Sequence, residues 1–163
     1  MAEIAIMKVH RQDEFRDLSR RLKKAGRGDL QRRLTREIRK AGQPALRATQ
    51  AAWMTVDVTS SRNGGKSSGL RARTSAATRI SILGSGIRIR VESKKVDPKY
   101  RSLPFYLDAL GKAWRHPVFG NRQVWTTQRG QEVFYRTLRG FEPRWRAGID
   151  RAMDETEREL LGG

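Results

Sequence analysis

Hydrophobic residues in this chain change period across one polar break. Up to Trp53 they recur every three or four positions, as on one face of a helix; after Gly69 two stretches alternate residue by residue, as in strands. Between them, Thr59-Ser-Ser-Arg-Asn-Gly-Gly-Lys-Ser-Ser-Gly69 holds no apolar side chain and is rich in Gly and Ser, so it reads as a flexible loop. A chain patterned in this way is α+β.

On the helical side, Phe15, Leu18 and Leu22 predict a helix over 12–25, broken where Gly26 and Gly28 flank Arg27. Asp29 is placed to cap a second helix, in which Leu30, Leu34, Ile38 and Ala41 form a narrow stripe among Arg32, Arg33, Arg36, Arg39 and Lys40. Pro44 lacks an N–H and crowds the preceding turn, which predicts a kink or restart at Gly42–Pro44 before the helix resumes to about Trp53. Leu70 to Ala77 fits a helical turn.

Beyond it, Arg79-Ile-Ser-Ile-Leu83 and Ile87-Arg-Ile-Arg-Val91, joined by Gly84-Ser85-Gly86, predict a hairpin with Ile80, Ile82, Ile87, Ile89 and Val91 facing the core. Leu103 to Leu110 suits a short helix. Residues 112–128 read as extended chain, a turn at Gly120-Asn121 and a return strand through Val124 and Trp125. Glu142 and Pro143 suit a first turn of a terminal helix, whose Phe141, Trp145, Ile149, Ala152 or Met153, Thr156 and Leu160 recur at three to four. The expected organisation is one domain: a basic helical arm over 1–57, a flexible basic loop and turn over 58–77, and an α+β core over 78–163 that ends in the long amphipathic helix.

Charge narrows the partners. Thirty-five Lys and Arg face 17 Asp and Glu over 163 residues, a formal net charge of +18. The excess is uneven: residues 1–50 hold 14 basic and 6 acidic residues, residues 58–101 hold 11 and 2, and residues 141–163 hold 4 and 6. Such a charge is drawn to a polyanion or an acidic partner. The chain contains no Cys, which excludes disulfide scaffolds, Cys-based zinc sites and Cys nucleophiles. No apolar run approaches a membrane span and no signal-peptide pattern opens the chain, so a soluble protein with no membrane partner is expected.

Signs of catalysis are weak. Gly64-Gly65-Lys66-Ser67 resembles part of a phosphate loop, but the Gly required five residues before Gly65 is Ser60, and no buried strand precedes it. Asp150, Asp154 and Glu157 share a helix face with Arg146, Arg151 and Arg158, the pattern of a solvated, ion-paired surface rather than of a metal site. His10 and His116 have no nucleophile or carboxylate placed to form a triad. No enzymatic activity and no cofactor or metal are expected. Trp53, Trp114, Trp125 and Trp145 fall on apolar faces and suit core packing. The alternative for Trp114 and Trp125, near Arg115 and Arg122, is a base-stacking platform. Arg62, Lys66, Arg71 and Arg73, in or beside the loop, are placed to contact either passing DNA or acidic neighbour subunits.

The stretch Trp114-Arg-His-Pro-Val-Phe-Gly120-Asn-Arg-Gln-Val-Trp125, followed by an amphipathic terminal helix, resembles the siphophage neck or tail-completion family, the head–tail joining proteins related to lambda tail-completion protein Z. The element order is similar too. The resemblance implies a non-enzymatic virion protein, assembled in the host bacterial cytoplasm as a ring, usually a hexamer. Its partners would be head-closure or connector proteins on one side and tail-terminator or tail-tube proteins on the other, with double-stranded DNA passing through the lumen. Trp114, His116, Pro117, Phe119, Gly120 and Trp125 would then be fold-determining turn residues. The alternative from another class is a stand-alone, sequence-independent nucleic-acid-binding protein.

Overall fold

Two long helices form the spine because each carries one continuous apolar stripe. The structure, a computed structural model, describes residues 11–56, 69–83, 86–96, 98, 101–108, 113–118 and 121–162. Helix α1 (Gln12–Lys24) buries Phe15, Leu18 and Leu22, and α2 (Gly28–Met54) buries Leu30, Leu34, Ile38, Ala45, Leu46 and Trp53. The last helix, α5 (Val133–Gly162), answers with Val133, Phe134, Leu138, Trp145, Ile149, Ala152 and Met153. Arg33 meets Glu159, Ala41 meets Gly148 and Trp53 meets Phe134, so α2 and α5 run antiparallel. A Cβ on Gly148 would lie 2.7 Å from the Ala41 Cβ; glycine is what lets the two backbones approach there.

Between the spine helices lie α3 (Leu70–Ala77), the antiparallel pair β1 (Thr78–Leu83) and β2 (Gly86–Val91), a 3₁₀ turn (Ser93–Lys95), α4 (Leu103–Leu107), and a second antiparallel pair, β3 (Ala113–Val118) and β4 (Asn121–Arg129). In the first hairpin Ile80 pairs with Ile89 and Ile82 with Ile87, so the predicted apolar face forms. Ile87, Ile89 and Val91 are buried, with Ile80 and Ile82 packed at the edge of the same core. That face sits on α2: the Ile80 Cδ1 lies 3.1 Å from where a Cβ on Gly42 would be, and the Gln50 amide donates to the Thr78 carbonyl at 3.1 Å. The α+β class, the first hairpin and the long terminal helix are as expected. The helices anticipated as an arm carry much of the one core.

Three boundaries differ from the expectation. The second helix does not restart at Pro44 but runs through it as one element, because the single missing hydrogen bond is outweighed by Ala45, Leu46 and Trp53 buried on either side of the next turns. It begins at Gly28, with Asp29 inside the first turn rather than capping it. The terminal helix begins at Val133, not near Glu142, and Pro143 lies within it. Its true start is capped from afar: the buried Asp108 carboxylate accepts from the Phe134 N–H at 2.6 Å and the Tyr135 N–H at 3.3 Å. No local sequence signal marks such a cap.

Candidate interaction surfaces

Most carboxylates of the C-terminal helix are paired within the molecule. Arg11 reaches Asp154 at 3.2 Å and Asp150 at 3.7 Å, Arg21 donates to Glu157 at 2.6 Å, and Arg33 forks onto Glu159 at 2.7 and 2.9 Å. The partners of Asp150, Asp154 and Glu157 thus come from α1 and its N-terminal edge, not from Arg146, Arg151 and Arg158 on their own helix. Arg146 pairs instead with Glu142, and the Arg158 Nε donates to the Asp154 carbonyl. The reason is geometric: α1 lies alongside α5, so cross-helix guanidinium groups reach these carboxylates directly. Among the described residues no group of three or more His, Asp or Glu is placed to hold a metal ion.

With the acids engaged, the outer faces of the spine stay basic. Arg32, Arg36, Arg39 and Arg47 fall within about 80° of one another around α2, given 100° per residue. Arg136, Arg144 and Arg151 do the same around α5. All seven are exposed, opposite the buried stripes, and none forms an ion pair among the described residues.

The second hairpin is a different kind of surface. β3 and β4 pair Trp114 with Gln128, Arg115 with Thr127, His116 with Thr126 and Pro117 with Trp125, and a register shift follows between Pro117 and Val118. Pro117 beside that irregularity costs no ladder bond that a regular strand would need. The hairpin meets the other described elements only sparsely. One attachment is a stack of Tyr106 of α4 on Trp114, with ring centroids 5.0 Å apart. Trp125 is 49% exposed, its indole N–H donating to the Arg122 carbonyl at 2.8 Å and its ring lying 5.8 Å from the Arg115 guanidinium. Phe105, Tyr106 and Val124 add further exposed apolar surface.

Of the four tryptophans expected in the core, Trp53 and Trp145 are buried, Trp114 is half-buried and Trp125 is exposed. The core packing expected of Trp125 is corrected here: it is half exposed on the second hairpin, where Arg115 and, along its own strand, Thr127 and Arg129 share its face. Among the residues expected at a DNA or subunit contact, Arg62 and Lys66 lie outside the described residues. Arg71 donates to the Met54 carbonyl at 3.1 Å, and so tethers α3 to the end of α2, where a cation also suits the helix dipole. Arg73 is exposed on α3. Of the turn motif, His116 and Pro117 are on β3, and Phe119 and Gly120 lie outside the described residues. The sequence pattern points neither to Asp108 nor to Arg136 and Arg144, and it places Arg151 only as an ion-pair partner on its own helix. Arg144 and Arg151 fall in the 141–163 segment, where 6 acidic residues outnumber 4 basic ones, and Arg136 precedes it.

No family model matches this chain, and no curated protein or solved structure is significantly similar to it.

Proposed function

We propose that this chain is a structural subunit of a tailed-phage head–tail junction, a neck or tail-completion ring that joins the capsid connector to the tail tube around the DNA channel. The observation that carries the reading is the second hairpin. A two-stranded sheet standing off the body, with open edges and exposed Phe105, Tyr106, Val124 and Trp125, is a surface that gains by being covered. In a closed ring each copy would offer its hairpin to a neighbour, a head-to-tail contact that closes by rotation. The resemblance of residues 114–125 to the neck family falls on this same hairpin. Virion localisation, hexameric copy number, the connector and tail-tube partners, and a role without catalysis belong to this proposal.

The test is genetic and biochemical. In a phage carrying this gene, a nonsense allele should give filled heads and separate tails, and adding the purified protein should join them. Normal virions in its absence would refute the reading.

The uncompensated arginines on α2 and α5 favour one second reading, a stand-alone protein that binds nucleic acid without sequence preference. In that case the nonsense allele leaves heads joined to tails, and duplex binding is as tight in the monomer as in any assembly.

A further inference from the structure

We infer that the outer face of α2, the side turned away from α5, is a docking surface for the phosphate backbone of duplex DNA, with Arg32, Arg36, Arg39 and Arg47 as its contacts. The inference rests on the reading of this chain as a protein that meets DNA, which both functional readings share. It moves the contact from the loop onto a single helix.

The four cations share one face because they share one helix. At about 100° per residue, Arg39, Arg32, Arg36 and Arg47 follow one another within about 80° around α2. The buried Leu34, Ile38, Ala45 and Thr49 take up the arc roughly opposite. Along the axis, Arg36, Arg39 and Arg47 stand about 6, 10.5 and 22.5 Å beyond Arg32. The backbone that carries them is fixed before any partner arrives, since α5 meets α2 at Ala41 and the first hairpin meets it at Gly42.

These cations are also available. Their neighbours on the same helix are matched, Arg33 to Glu159 and Lys40 to Glu37, whereas Arg32, Arg36, Arg39 and Arg47 are exposed and form no ion pair among the described residues. A guanidinium in that state keeps its donors for an incoming anion, and its planar fork fits phosphate oxygens two at a time.

The occupant follows from what the face lacks and from what the chain can offer it. A second copy brings no acidic face: Asp13 and Asp17 of α1 are matched to Arg16 and Arg20, and Asp154, Glu157 and Glu159 of α5 to Arg11, Arg21 and Arg33. The anion therefore comes from a different molecule. No aromatic side chain lies on this arc of α2; the exposed ones are on α4 and the second hairpin, so nothing here stacks on the bases of a single strand. Over about 22 Å one strand of a duplex presents roughly six phosphates, at about 3.4 Å of axis each, enough for every guanidinium to meet one. Contact of this kind is blind to sequence.

The experiment measures fluorescence anisotropy of a labelled mixed-sequence DNA duplex against the full chain over a salt series. The R32Q/R36Q/R39Q/R47Q variant should lower the slope of log Kobs against log salt by about 3 to 4, since each phosphate contact contributes ~0.9. The R136Q/R139Q/R144Q/R151Q variant removes the same charge from exposed positions of α5 and should lower it by less than about 1. The R32K/R36K/R39K/R47K variant keeps the charge and should retain most of the slope, and circular dichroism of all three checks folding. An unchanged slope in the α2 Gln variant overturns the inference. An equal fall in the α5 variant also overturns it, by assigning the attraction to net charge. Competition by poly-glutamate as strong as by unlabelled duplex, at equal charge concentration, would give the face to an acidic protein and overturn it too. Head–tail joining reports separately on the ring: an α2 Gln variant that loses duplex binding yet joins heads to tails supports this surface and leaves the ring reading standing, whereas duplex binding through α2 by a chain that the nonsense allele shows to be dispensable for joining supports this surface without the ring.

Discussion

The two hairpins of this protein have the same antiparallel topology and similar lengths, yet one is core and the other is surface. In β1–β2 the inward positions are Ile or Val apart from the buried Thr78 opposite Val91, and the strand pair lies across α2 with Ile87 and Ile89 excluded from water. In β3–β4 one face carries Arg115, Thr127 and Arg129 around Trp125, and the other sets Trp114 beside Thr126 and Gln128. Neither face is apolar along its length. Alternation alone makes a hairpin; a continuous row of β-branched residues on one side is what seats it. Where that row is missing, the few large apolar side chains are left for something outside the chain.

The largest effect that could break this contrast is in the first hairpin. Ile89→Ala should destabilise the chain by ~2–5 kcal/mol, because a fully buried side chain leaves a cavity in the α2–hairpin core. Val124→Ala, at a position half exposed on the second hairpin, should stay within ~0.5 kcal/mol. Urea unfolding with an unchanged m-value measures both. Equal losses would mean that the second hairpin is seated after all.

Next in size is the cap between α4 and α5. Asp108→Ala removes the acceptor of two backbone N–H groups at the buried start of α5 and should cost ~1–3 kcal/mol. Asp108→Asn keeps one oxygen and should cost less. Burial pushes the Asp108 carboxyl up to about 6 from 3.8, against the pull of the Phe134 and Tyr135 N–H groups. The folded chain therefore holds this proton over a range in which the unfolded chain has released it. The group's contribution is full below about pH 3.8 and is lost as pH rises through about 6. Relative to Asp108→Asn, the wild type should be more stable at pH 5 than at pH 7, read as the difference in Tm. A wild-type advantage that grows toward pH 7 would show that the ionised cap is the stabilising form.

What the sequence made legible follows the same divide. Periodicity placed α1, α2, the first hairpin and the apolar face of α5, because in each the core-facing residues are contiguous in the pattern: Leu30, Leu34 and Ile38, or Ile87, Ile89 and Val91. The start of α5 was hidden because its cap comes from Asp108, 26 residues away from the Phe134 that it binds. Pro44 and Pro143 pointed to breaks that tertiary packing overrides. The candidate surfaces were harder still. That Arg36 and Arg151 lack partners while Arg11, Arg21 and Arg33 have them depends on which helices lie side by side, and no local pattern encodes that.

A smaller effect is expected at the junction of the hairpin and the body. Trp114 is half-buried and stacks on the Tyr106 ring. Trp114→Ala should cost ~1–2 kcal/mol, the stack itself being worth ~0.5–1.5 kcal/mol. A double-mutant cycle with Tyr106→Ala isolates that coupling. A coupling near zero would mean that the stack contributes nothing to holding the hairpin on the body.

The smallest effect on the isolated chain carries the most information about assembly. Trp125 stands half in water, with its indole N–H bonded within its own strand to the Arg122 carbonyl and its ring near Arg115. Trp125→Ala removes little burial and only contacts within its own hairpin, so stability should change by no more than ~0.5 kcal/mol. If the hairpin is the surface that a neighbouring copy covers, the same substitution removes an aromatic anchor from an interface, where such residues cost 2 kcal/mol or more in typical scans. Assembly measured by sedimentation, or head–tail joining by added protein, should then fall about 30-fold while the melting curve of the free chain stays in place. A stable variant that assembles as well as the wild type would take Trp125 out of any interface. A variant that unfolds would instead show that the second hairpin, like the first, is held by its own chain.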